Sequence, residues 1–150
     1  MKDYEINEST QAIIPNGSLK SMIYEEDCEY EVENSSNKII KYNCNFYGSS
    51  YLGRCEGTKS LTGIKTKFPI IIEESRKIIF FPTTSIRTQQ SMWLSLNHIK
   101  EIKIENSKTY VIFKNGKKLL VPLSYYSLKN QYCRASLLKA KLYDRIGKEI

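Results

Sequence analysis

Toward the end of the chain, apolar residues recur at Leu128, Tyr132, Ala135, Leu138, Leu142 and Ile146, spaced 4, 3, 3, 4 and 4. That period puts them on one face of a helix. It predicts an amphipathic helix over 127–146, with Ser127 as N-cap and Gly147 as stop. At about 100° per residue, Arg134, Lys141, Arg145 and Lys148 fall along one flank, giving a basic edge beside the apolar seam. Lys139 projects close to the apolar stripe. Its stem snorkels past the core, or the helix bends there, or that position serves a partner surface.

Upstream the period shortens to two. Residues 19–33, LKSMIYEEDCEYEVE, end with Tyr30 and Val32 alternating against acids and read as a strand. Phe68 to Ile72 and Lys77 to Phe81 are short apolar runs joined by Glu73-Glu74-Ser75-Arg76, which predicts a β-hairpin. Ile102 and Ile104 alternate with Lys103, and Tyr110 to Phe113 form a further strand. Asn115-Gly116 then predicts a type I′ turn into Lys118 to Val121, because Asn-Gly supplies the positive φ angles that turn requires. The predicted class is α+β: a mainly antiparallel β-sheet with a C-terminal amphipathic helix.

A chain of 150 residues is expected to form one domain. Within it, 1–40 reads as an acidic N-terminal segment, 41–126 as a basic β-rich body and 127–146 as the helix. Residues 1–40 hold nine acidic side chains against three lysines, a net of −6. The remainder holds 20 basic against 7 acidic side chains, a net of +13. A basic body of this kind suits a polyanionic partner, and the acidic segment is a candidate to lie across it and tune binding. No run approaches the roughly 18 apolar residues of a membrane span, and MKDYEINEST lacks a signal-peptide pattern. The expectation is a cytoplasmic protein without membrane association.

Chemistry-bearing motifs are sparse. Cys28, Cys44, Cys55 and Cys133 are separated by 15, 10 and 77 residues, with no CxxC pair, and His98 is the sole histidine. Neither a metal site nor a Cys–His nucleophile is expected. There is no GxxxxGK[ST] loop and no strand-GxGxxG-helix pattern, so no nucleotide cofactor is expected. Glu73-Glu74 reads as a polar loop. The chain reads as a non-enzyme.

Polyanion chemistry is better represented. Asn43 to Arg54, NCNFYGSSYLGR, reads as a Gly/Ser turn that brings backbone N–H groups, the Ser49 and Ser50 hydroxyls and the Arg54 guanidinium toward a phosphate or groove edge. Lys59, Lys65, Lys67, Arg87, Arg134, Lys139, Lys141 and Arg145 are the other candidate DNA contacts. Lys65 and Lys67 share a face if the chain is extended there. Thr58, Thr62 and Thr66 offer hydroxyls. No helix-turn-helix, zinc-finger or basic-zipper pattern is evident, which leaves loop or strand docking open.

The Cys44-to-Arg54 block, Pro69-Ile70, Phe81-Pro82-Thr83, Trp93, Asn115-Gly116 and Ser124 through Arg145 occur in one order. Together they resemble the ComK family of competence transcription factors over roughly residues 40 to 146. The resemblance implies activation of DNA-uptake genes and binding of double-stranded DNA at paired AT-rich boxes, largely through the minor groove. It further implies a homo-oligomer on DNA and contact with RNA polymerase. On charge and position, Arg54 and Arg87 are the candidates for groove insertion, and Lys65, Lys67 and the helix edge for phosphate. Ser91 stands where family members commonly have Cys. Longer members continue past the helix into a tail linked to adaptor-controlled degradation; whether this chain is a naturally short form or a trimmed one, DNA binding is expected to survive without the tail and tail-dependent control is not. The alternatives are a non-activating protein-interaction module in mixed oligomers, through the helix seam, Tyr125, Tyr126 and Tyr143, and an anionic-membrane-surface module.

Overall fold

The computed structural model describes residues 3–87 and 89–148. Nine strands and three helices are ordered as β1 (Thr10–Pro15), β2 (Ser21–Glu25), β3 (Glu29–Val32), α1 (Ser36–Phe46), α2 (Tyr51–Thr62), β4 (Ile70–Glu73) and β5 (Ile78–Pro82). Then follow β6 (Trp93–Ser95), a 3-10 turn (Leu96–His98), β7 (Ile99–Glu105), β8 (Lys108–Phe113), β9 (Lys118–Val121) and α3 (Tyr125–Lys148). One sheet has six strands in the order β3-β2-β1-β6-β5-β4, and a second has three in the order β7-β8-β9. Every pairing is antiparallel. The class is α+β, as the two periods predict.

The six-stranded sheet is covered on both faces. Ile79, Phe81, Leu94 and Ala12 point into a core shared with the second sheet and with Leu128, Ala135, Leu138 and Leu142 of α3. Ile78, Phe80, Trp93 and Ile13 point the other way, into a core with Ile39, Ile40 and Cys44 of α1 and Cys55 of α2. All of β5 is buried, so its sequence IIFFP shows no polar alternation.

The Phe68-to-Phe81 hairpin forms as β4–β5, with Ile70 opposite Phe80 and a bulge between Ile71 and Glu73. The Glu73 carboxylate accepts from the Ser75 N–H at 2.9 Å, the Arg76 N–H at 2.9 Å and Arg76 Nε at 3.0 Å. Burial pushes the Glu73 carboxyl up, but the Ser75 and Arg76 hydrogen bonds outweigh it and hold it at about 2.

Four local expectations are corrected. Residues 19–33 form two strands, β2 and β3, because the polar run Glu26-Asp27-Cys28 reverses the chain, with Glu25 N–H bonded to Cys28 O at 2.9 Å. The Asn115-Gly116 reversal is not type I′. Only Gly116 has positive φ, at +91°, and Phe113 and Lys117 close a three-residue loop through a 2.8 Å bond. This is the bulged alternative that needs one left-handed residue instead of two. α3 begins at Tyr125, two residues before the predicted start, because Ser124 caps it: Ser127 N–H donates to Ser124 Oγ at 3.1 Å. Gly147 is helical and does not stop the helix.

The acidic segment is not an arm over the basic body. It supplies β1, β2, β3 and the start of α1, and its Glu31 and Glu29 meet Lys20 and Lys117 at 3.1 and 3.2 Å. No described helix is long and apolar enough to cross a membrane.

Since the folded Glu73 carboxyl titrates near 2 rather than at its ordinary 4.5, its stabilisation is fully present above pH 4.5 and lost as pH falls toward 2. Glu73→Gln is expected to cost about 2 kcal/mol at pH 7, with the gap to wild type closing on acidification. Urea unfolding at pH 7, 4 and 2.5 measures this, and a gap independent of pH would show that the Glu73 charge is not the source.

Candidate nucleic-acid interface

The stretch read as a Gly/Ser loop folds instead into two helices. Gly48, with φ +87°, turns the chain between them, and Ser50 caps α2 by accepting the Gly53 N–H at 2.9 Å. Gly63, with φ +78°, ends α2, its N–H bonded to Lys59 O at 2.8 Å. The Ser50 hydroxyl is thus committed to the helix, and Ser49 is half-buried with its N–H on Cys44 O at 2.9 Å. Thr58 is buried and donates to Pro69 O at 2.6 Å, while Thr62 donates to Thr58 O at 2.7 Å. These threonines fasten α2 and are not free contacts.

Helix α2 stands as a ridge between two clefts. The first has a volume of about 280 Å³ and is lined by Tyr51 and Leu52 of α2, Lys65, Lys67 and Phe68 of the following loop, and Arg87 from the loop after β5. Lys65, Lys67 and Arg87 are exposed. Lys67 has φ +48°, so the loop turns here and the extended-chain argument for a shared face fails. Both lysines reach the same cleft all the same. Lys59 lies seven residues beyond Leu52, about 20° away around the helix, and is exposed on the same flank. Lys41 of α1, which the sequence pattern did not single out, sits 5.8 Å over the Tyr51 ring.

What holds the loops that carry these cations in place is a set of side chains bonded to the loop backbones. Buried Gln131 of α3 donates through Nε2 to Lys67 O at 3.1 Å and to Pro82 O at 2.8 Å. Arg134 donates to Gln131 Oε1 and to Thr66 O. Burial lowers the Arg134 pKa from its ordinary value without a compensating charge. Its guanidinium positions the loop and does not project freely from the helix edge. On the other side, Ser91 Oγ accepts the Thr83 and Thr84 N–H groups at 3.0 and 3.1 Å and shapes the loop that carries Arg87. The Ser91 hydroxyl therefore has a structural task.

The second cleft, about 210 Å³, lies on the other side of α2 and includes Gly53, Arg54, Gly57, Glu74, Leu142 and Arg145. The Arg54 side chain is only 16% exposed, with Nη1 3.6 Å from Glu74 and a buried Nε that has no partner. Arg145 and Lys141 are exposed on α3. Arg54 and Arg87 thus flank α2 on opposite sides. Lys139 belongs to neither group: its Nζ donates to Asn97 Oδ1 at 2.9 Å and lies 5.9 Å over the Tyr143 ring. The side chain of Lys148 lies outside the described residues.

No thiol near α2 is activated. Burial pushes the Cys44 thiol up to about 12, although Arg54 opposes it, and burial likewise raises Cys55. His98 sits in a separate cleft with Glu8, Arg76 and Lys114, its Nε2 2.5 Å from Glu8 O. Among the described residues, no group of three or more His, Cys, Asp or Glu is arranged to hold a metal ion.

The family profile described as ComK protein matches residues 1–147. The competence transcription factor of Bacillus subtilis (strain 168) is 40% identical over 154 residues, spanning 100% of this chain and 80% of that protein. No solved structure matches.

Gln131→Leu removes the donor shared by Lys67 O and Pro82 O. It is expected to destabilise the fold by about 1–3 kcal/mol, read from the urea midpoint. An unchanged midpoint would show that the two carbonyls are satisfied without this side chain.

Proposed function

The chain belongs to the ComK family of competence transcription regulators, and on that premise we propose that it binds AT-rich boxes selectively, largely through the minor groove, and activates DNA-uptake genes in the cytoplasm. The observation that carries this reading is the convergence of Lys65, Lys67 and Arg87 on a cleft whose described lining contains no acidic side chain. Those residues come from two loops some twenty positions apart, tied into one constellation by Gln131, Arg134 and Ser91.

The roles divide by exposure. Arg87 is the exposed guanidinium and enters the groove, where a narrow A-tract concentrates negative potential and favours an arginine. Lys59, Lys65 and Lys67 take phosphates beside it, and Lys141 and Arg145 extend the contact along α3. Arg54 is mostly enclosed next to Glu74 and sets the seating of α2 against the β4–β5 turn. Ser49 and Ser50 serve by forming the start of α2. Lys139, tied to Asn97, lies outside the main contact. Paired boxes call for paired copies, so the DNA-bound form is a homo-oligomer, and activation implies contact with RNA polymerase.

Titration against an AT-box duplex and a scrambled G·C-rich duplex at several salt concentrations tests the reading. Wild type is expected to keep its preference for the AT-boxes near physiological salt. Arg87→Ala is expected to cost about 1–3 kcal/mol on the AT-box duplex and less on the control. An equal loss on both would make Arg87 a phosphate contact. Lys65→Ala is expected to weaken both duplexes alike and to lower the slope of log K against log salt by about 0.9. A slope unchanged from wild type would place Lys65 outside the interface.

A further inference from the structure

Leu52 is 68% exposed on the first turn of α2, and it stands in the cleft that holds Lys65, Lys67 and Arg87. An apolar side chain rimmed by cations is poorly placed for solvent and well placed for an apolar contact inside a polyanion. Leu19, comparably exposed at 74%, lies in a cleft where Glu33 stands beside Lys20 and Lys38, so of these two only Leu52 is rimmed by cations without an acid. The platform under Leu52 is stiff. The Ser50 cap fixes the first turn at 2.9 Å, and half-buried Tyr51 is bonded to Cys55 below and covered by Lys41 at 5.8 Å.

The exposed ridge of α2 also gives the direction of approach. Glu56 follows Leu52 by one turn and is exposed, so it repels phosphates laid along the helix. The end before it presents the N-terminal N–H groups and the positive end of the helix dipole. The duplex is seated on this first turn, and Lys59, beyond Glu56 on the same flank, reaches only a flanking phosphate.

We infer that Leu52 is a wedge that enters the duplex between adjacent base pairs from the minor-groove side, while Lys65, Lys67 and Arg87 hold the strands around it. This rests on the DNA-binding reading above and adds the contact by which the duplex is deformed. Insertion requires partial unstacking, which is least costly at pyrimidine–purine steps such as T·A. An A·T-rich site containing such a step is therefore the substrate this residue favours, through deformability and not through a base-edge hydrogen bond.

The test uses the full chain and AT-box duplexes carrying 2-aminopurine in place of single adenines, scanned across the T·A steps. Wild type is expected to raise 2-aminopurine fluorescence severalfold at one step per box. Leu52→Ala is expected to abolish that rise and weaken binding about tenfold, as loss of one buried leucine contact implies. Its salt slope and its thermal melt should match wild type, since no charge or core group is altered. Leu52→Met should restore the rise. Selective wild-type binding with no rise at any step, or a rise that survives Leu52→Ala, would overturn the wedge and leave the DNA reading intact. Absence of any wild-type preference for the AT-box duplex would remove the DNA reading and the wedge with it.

Discussion

A strand that is apolar on both sides cannot face water on either, and β5 is such a strand. Ile78 and Phe80 point into one core, Ile79 and Phe81 into the other, and all are nearly inaccessible. One cover is α1 with α2; the other is the second sheet with α3. The two covers meet where α2 and α3 reach past the β4–β5 edge of the six-stranded sheet, and the clefts flanking α2 open at that meeting. The location of the basic site thus follows from burial around one hairpin before any charge is considered.

Two asparagines on α1 show how the covers are fastened. Asn43 accepts the Ile6 N–H at 2.8 Å and donates to Tyr4 O and Ile39 O, each at 2.8 Å, which ties the first residues to the helix. Asn37 accepts from Trp93 Nε1 at 3.0 Å and donates to Gln89 O at 3.1 Å, which ties the approach to β6. Buried amides that both donate and accept specify one register where apolar packing alone would tolerate several. They also explain why α1 leaves a weak apolar pattern: part of its buried face is polar.

Long, regular patterns were legible. The six apolar residues of α3, the alternation at 102–104 in β7, the apolar run 110–113 in β8 and the stretch 118–121 after Asn-Gly in β9 locate these elements to within a few residues, and the hairpin at 70–82 follows from two apolar runs and a polar break. Helix α2 was hidden because only Cys55 and Thr58 are buried on it, and because Gly53 and Gly57 read as loop. Its ends were nonetheless signalled by Ser50 as cap and Gly63 as a left-handed stop. At the site, the residue types were readable and their grouping was not. Lys65, Lys67 and Arg87 were all named, yet their convergence depends on hydrogen bonds from Gln131, a residue of no evident charge or motif. Arg54, the most prominent cation of the Gly/Ser segment, proved to be largely enclosed and paired with Glu74 twenty positions away, neither of which shows in the local sequence. Leu52 could not be recognised as exposed until its segment was known to be helical.

The loop at 64–68 is gripped by its carbonyls. Gln131 and Arg134 bond to Lys67 O and Thr66 O, which every amino acid except for its side chain shares alike. Conformation there is uncoupled from side-chain identity, so the surface charges at 65 and 67 are free to change without disturbing the frame that displays them. Position 67 alone keeps a restriction, since its φ of +48° disfavours β-branched residues. A surface of this kind can gain or lose charge by single substitutions while the fold stays still. The same separation gives an engineer two adjustable positions whose effects on stability and on surface charge can be read apart.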